Sequence, residues 1–111
     1  MEKQYKKYKL NEFVTLQVLS YTDEMMVVKL WFIGKGFDST HHHGNQEVNI
    51  VTGGEFEATN GTERIKVYPG QAVKVPSNFE HNMECLSPTG EMVTVWTPAR
   101  QDIIEKYTEQ E

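Results

Sequence analysis

The residues with the most chemical capacity lie in positions 36–47, which read Gly-Phe-Asp-Ser-Thr-His-His-His-Gly-Asn-Gln-Glu. His41 and His43 are one residue apart, and Glu47 follows four residues later. On a strand, alternate side chains share a face, so His41 and His43 point together and His42 points away. Two imidazoles on one face beside a carboxylate suit a borderline divalent metal such as zinc, nickel, manganese or iron. His81 offers a further imidazole from a distant part of the chain. If all four side chains ligate one dication, an octahedral ion keeps two positions open for water or a chelating substrate. Such a centre polarises a carbonyl or hydroxyl and favours small, oxygen-bearing, anionic molecules.

Bringing His81 beside the first cluster requires strands that close on themselves. Residues 13–19, 25–32, 48–51, 55–58, 64–68, 71–75, 80–85 and 92–96 are apolar, β-branched or alternating, and read as strands. Turn signals at Gly53-Gly54, Asn60-Gly61, Pro69-Gly70 and Pro76-Ser77-Asn78 separate them. Many short strands with close turns predict an all-β antiparallel barrel or sandwich, with a short helix over 101–107 after Pro98. His81, Met83 and Cys85 share a face. A lone histidine among such neighbours is ordinarily a packed core residue, so its value as a ligand depends on the barrel. Cys85 lies roughly 13 Å along the strand from His81 and cannot share its metal.

Two strands leave their faces undecided. Val27, Lys29 and Trp31 share a face that is neither wholly wet nor wholly apolar, which suggests a subunit interface or a covering second sheet. Thr94 and Trp96 share one face of the last strand, and Val93 and Val95 share the other. Trp96 is thus either core or a platform for substrate. Arg100 either clamps a carboxylate bidentately or pairs with a surface glutamate.

Composition narrows the partners. At 111 residues the chain is expected to be a single domain spanning 1–111, with 38% hydrophobic and 24% charged residues. Its net charge of −5 argues against a phosphate-binding surface, so no nucleic-acid partner is expected. Cys85 is the only cysteine, and no apolar run is long enough for a membrane helix or signal core. A cytoplasmic protein with no membrane partner is expected. The basic start (Lys3, Lys6, Lys7, Lys9) and the acidic end (Glu105, Glu109, Glu111) are expected to be solvated.

Two segments then resemble the paired motifs of the cupin superfamily. Gly36, His41, His43, Glu47 and Gly54 stand at the spacing of its first motif, one residue short between glycine and histidine. Gly70, Pro76 and His81 stand at the spacing of its second, with Asn78 where glycine is usual and Cys85 where asparagine is usual. The resemblance implies a jelly-roll β-barrel and a divalent metal held by His41, His43, Glu47 and His81. Residues 21–29 and 93–102 look like the pectin-degradation cupins, which convert 4,5-unsaturated uronic acids into linear keto sugars. By position, that likeness makes Trp96 and Arg100 substrate-facing residues. It also puts Thr94 where the family carries an aspartate, and Glu47 where close relatives often have glutamine. A homodimer and a sugar-acid substrate are expected on the same ground. The resulting expectation is a metal-dependent isomerase or ketonising enzyme in which Arg100, Trp96 and Thr94 meet the substrate. An iron-dependent oxygenase and a non-enzymatic binding module are the alternatives.

Overall fold

Alternation of buried and exposed side chains shapes almost every strand of the computed structural model, which describes residues 4–37 and 43–111. The elements run β1 (Lys7–Lys9), β2 (Val14–Tyr21), β3 (Met26–Ile33), β4 (Gln46–Gly53), β5 (Phe56–Asn60), β6 (Glu63–Val67), β7 (Ala72–Val75), β8 (His81–Cys85), β9 (Thr89–Thr97) and α1 (Gln101–Tyr107). One sheet has the order β1-β2-β3-β9-β4-β7 and the other β6-β5-β8, with every pairing antiparallel. Their inner faces enclose Leu16, Val28, Phe32, Val51, Phe56, Met83 and Met92 in one apolar core. This is the jelly-roll architecture expected from the strand pattern, with its short terminal helix.

The undecided faces are now assigned. On β9, Met92, Thr94 and Trp96 point inward, while Val93 and Val95 are half-buried on the outside. On β3, Met26, Val28, Leu30 and Phe32 are buried, and Val27, Lys29 and Trp31 are half-buried outside. The Trp31 ring lies beneath two ammonium groups, Lys7 Nζ at 4.5 Å and Lys29 Nζ at 5.3 Å from its centroid.

The described charged side chains of the basic start and acidic end are largely exposed, as expected, and the two segments also pair with each other. Lys7–Lys9 adds an edge strand to β2, and the Lys6 ammonium sits 2.9 Å from Glu109 Oε1. The Lys6 amide donates to the Glu109 carbonyl at 2.9 Å, and Tyr5 bridges Gln110. Opposite charge and complementary backbone groups thus join two segments that look unrelated in sequence.

Away from the histidines, the barrel interior is closely packed around Phe56. Phe32 and Phe56 meet edge to face with ring centroids 4.9 Å apart. A Cβ added at Gly90 would lie 2.7 Å from the Phe56 ring and 2.8 Å from Cys85 Sγ. At the histidine end, Asn78 adopts a φ of 60° in the turn before β8. Asparagine is among the few residues besides glycine that tolerate this conformation, which accounts for its standing in a glycine place. The Asn78 amide donates to the His43 carbonyl at 2.7 Å.

Candidate metal centre

Three of the four expected ligands are described, and they converge. β4 presents Glu47 inward, β8 begins with His81 on its inner face, and His43 lies just before β4. One ligand atom from each of His43, Glu47 and His81 falls within 4.8 Å of the others. His43 Nε2 is 3.1 Å and His81 Nε2 3.3 Å from Glu47 Oε1, and the two rings stand edge to face with centroids 5.0 Å apart. His41 and His42 lie outside the described residues.

The other ring nitrogens explain why a cation fits between these groups. His81 Nδ1 is 2.9 Å from the Phe79 carbonyl, and His43 Nδ1 is 3.2 Å from the Asn45 carbonyl. A carbonyl only accepts, so each Nδ1 carries a proton, and a neutral ring then aims the lone pair of its Nε2 at Glu47. Two lone pairs facing a carboxylate oxygen require a positive charge between them, supplied by a proton or by a metal. With protons alone, burial would push the Glu47 carboxyl up. The hydrogen bonds from His43, His81 and Asn49 and the His81 charge nevertheless hold it well below the usual carboxylate range. Burial likewise opposes the His81 charge, yet the Glu47 hydrogen bond and charge raise it above the usual imidazole value.

Glu47 is gripped on both oxygens. Trp96 Nε1 donates to Oε1 at 2.6 Å, and Asn49 Nδ2 donates to Oε2 at 2.6 Å. Thr94 Oγ1 in turn donates to Asn49 Oδ1 at 2.7 Å. Thr94 is buried, and the cavity-lining residues do not include it. Asn49 carried no weight in the sequence. Its signal was a polar residue two places from Glu47 on the same strand face.

A cavity of about 350 Å³ opens above the cluster, with His43, Glu47, His81 and Trp96 on one side. Leu10, Leu30, Phe37 and Met83 form part of an apolar wall, and Ile103 and Tyr107 of α1 close over it. The Arg100 guanidinium lies 4.9 Å from the Trp96 ring centroid and lines the cavity. Both resemblance-derived residues therefore face the same space. Arg100 pairs with Asp102 rather than a glutamate, through Nη2 at 2.7 Å and Nε at 3.3 Å. Burial tends to raise the Asp102 carboxyl, but the Arg100 hydrogen bond and charge lower it. Asp102, Lys106 and Tyr107 are cavity residues that the sequence did not disclose, because the docking of α1 is a tertiary event.

The protein-family profile described as a cupin domain matches residues 30–98, more than half the chain. Among solved structures, an RmlC-like cupin from Shewanella frigidimarina is similar with a TM-score of 0.83 and 26% identity, over 90% of this chain and 89% of that one. KdgF from a Halomonas species is similar with a TM-score of 0.81 and 22% identity, over 88% and 90%. A structure from a study of DMSP lyases has a TM-score of 0.71 and 19% identity, over 88% and 58%. No curated protein sequence matches significantly.

Proposed function

This chain belongs to the cupin family, and from that premise we propose that it is a divalent-metal enzyme that isomerises or ketonises a small unsaturated sugar acid or a related carbonyl compound. The observation that carries the reading is the placing of Arg100 over Trp96, on the wall of the cavity that His43, Glu47 and His81 line. KdgF from a Halomonas species shares the fold, and the likeness of residues 21–29 and 93–102 to the pectin-degradation cupins supports the choice of substrate class.

His43, Glu47 and His81, with His41, would hold the metal. When bound, a zinc, nickel, manganese or iron ion supplies a Lewis acid that polarises an oxygen of the substrate. Arg100 takes the substrate carboxylate, exchanging part of its pairing with Asp102 for a second planar anion. Trp96 offers a flat edge to the ring. The apolar part of the wall suits the partly dehydrated skeleton of an unsaturated uronate better than a fully hydroxylated sugar. Since Thr94 is not on the cavity wall, the wall groups beyond the ligands that could move a proton are, among the described residues, Asp102, Lys106 and Tyr107. Asp102 stays ionised beside Arg100 and so can act only as an acceptor.

Incubation with 4,5-unsaturated galacturonate and mannuronate tests the reading. Metal-loaded protein should consume one of them faster than chelator-treated protein, and Arg100→Leu should raise KM more than it lowers kcat. Equal rates with and without protein remove this substrate class. Tight uronate binding without turnover would return the chain to the binding-module reading, and oxygen uptake by iron-loaded protein to the oxygenase reading.

For assembly we infer a homodimer through the outer face of the large sheet. Val27, Val95 and Val48 lie side by side there, as do Lys29, Val93 and Ile50. A single species of monomer mass on sizing would dismiss it. Among the described residues, no helix is long and apolar enough to cross a membrane.

A further inference from the structure

Two cross-strand pairs form a polar block on the inner face of β4 and β9. Glu47 stands opposite Trp96, and Asn49 stands opposite Thr94. All four are buried, with 5%, 5%, 2% and 1% of their surfaces exposed in that order. Buried polar groups are costly unless partnered, so the direction of each hydrogen bond in the block is constrained. An ionised carboxylate only accepts, so Asn49 must turn its amide NH₂ toward Glu47 Oε2. That leaves Asn49 Oδ1 facing away, where it needs a donor. The Thr94 hydroxyl provides it at 2.7 Å. Trp96 Nε1, meanwhile, approaches Oε1, the oxygen that both imidazoles face.

We propose that Asn49 and Thr94 are positioning residues for the metal centre. Thr94 sets the orientation of the Asn49 amide, and that amide holds Oε2 back so that Oε1 faces His43 and His81. The relay thereby fixes the affinity of the centre without touching the metal or the substrate. This inference rests on the metal-binding reading above.

The experiment measures the affinities of Zn²⁺ and Mn²⁺ by competition with a chromophoric chelator, and the melting temperature of the chelator-treated protein. Thr94→Val keeps the side-chain shape and removes the donor, which frees Asn49 to rotate. Its metal affinity should fall about 10- to 100-fold, the range for lost outer partners of metal ligands. Thr94→Ser restores the donor and should bind close to wild type. Thr94→Asp draws the amide NH₂ to itself, turns Oδ1 toward Glu47, and should bind at least as weakly as Thr94→Val. In a Trp31→Phe background, Trp96 emission should shift on Thr94→Val as the carboxylate reorients. Equal affinities for wild type and Thr94→Val would overturn the relay. So would a loss shared by Thr94→Ser, or one that follows the melting temperature, since either marks a merely structural role. A wild-type protein that takes up neither metal would overturn the metal centre itself, and is distinguishable because every variant then behaves alike.

Discussion

At one end of the barrel interior, Phe32 and Phe56 pack edge to face at 4.9 Å, and Gly90 passes too close to Phe56 for any side chain. At the other end, His43, Glu47, His81 and Trp96 share hydrogen bonds beside a cavity of about 350 Å³. The first end fills its volume with carbon, and its stability comes from dispersion and from apolar surface removed from water. The second accepts desolvated charge and open space, which stabilise nothing by themselves. Folding and ligand binding should therefore respond to different substitutions, even though both ends are built on the same strands.

The largest effect expected is at the closed end. Phe56→Ala should cost about 3–5 kcal/mol in urea denaturation, while the folded fraction binds metal as before. Glu47→Gln should act first on the centre. It keeps the side-chain volume but removes the charge, so metal affinity should drop by more than the roughly 10- to 100-fold that outer partners command, and the chelator-treated protein, having lost the pairing with His81, should melt below wild type but well above Phe56→Ala. A loss of stability on Glu47→Gln as large as that on Phe56→Ala would show that the two ends are not separable. Gly90→Ala, which forces a methyl against Phe56, should cost about 1–3 kcal/mol, again with metal affinity unchanged.

The smallest effect is the pH response of the chelator-treated protein. Glu47 is lowered from an ordinary value of 4.5, so its contribution is present above that pH and fades as the solution becomes more acidic. His81 is raised from 6.5, so its contribution is complete below that pH and is lost as pH rises through the raised value. Melting temperature should therefore peak between these limits. Metal affinity should instead climb with pH across the neutral range, because the metal competes with the proton on His81. A melting curve flat over this range would show that the pair is not coupled.

How far the sequence disclosed this arrangement follows from the range of the interactions involved. Period-two alternation and turn chemistry are local, so β2, β3, β5 and the helix at Gln101–Tyr107 could be read in place. β1 could not, because Lys7-Tyr8-Lys9 becomes a strand only by pairing with β2. The convergence of His43, Glu47 and His81 was suggested by residue type and spacing and implied by the resemblance to the paired cupin motifs. The inward face of β9 did not, since both its faces carry apolar side chains and only the opposing sheet decides between them. Asp102, Lys106 and Tyr107 stayed hidden because their place depends on where α1 docks.

The bond from the Asn78 amide to the His43 carbonyl spans the gap between the two ligand-bearing segments. One ligand is fixed to each side of that bond, so thermal breathing that parted the segments would have to break it first. Its deuterium-exchange rate is therefore a direct gauge of how often the centre opens, readable at a single backbone site and without any substrate.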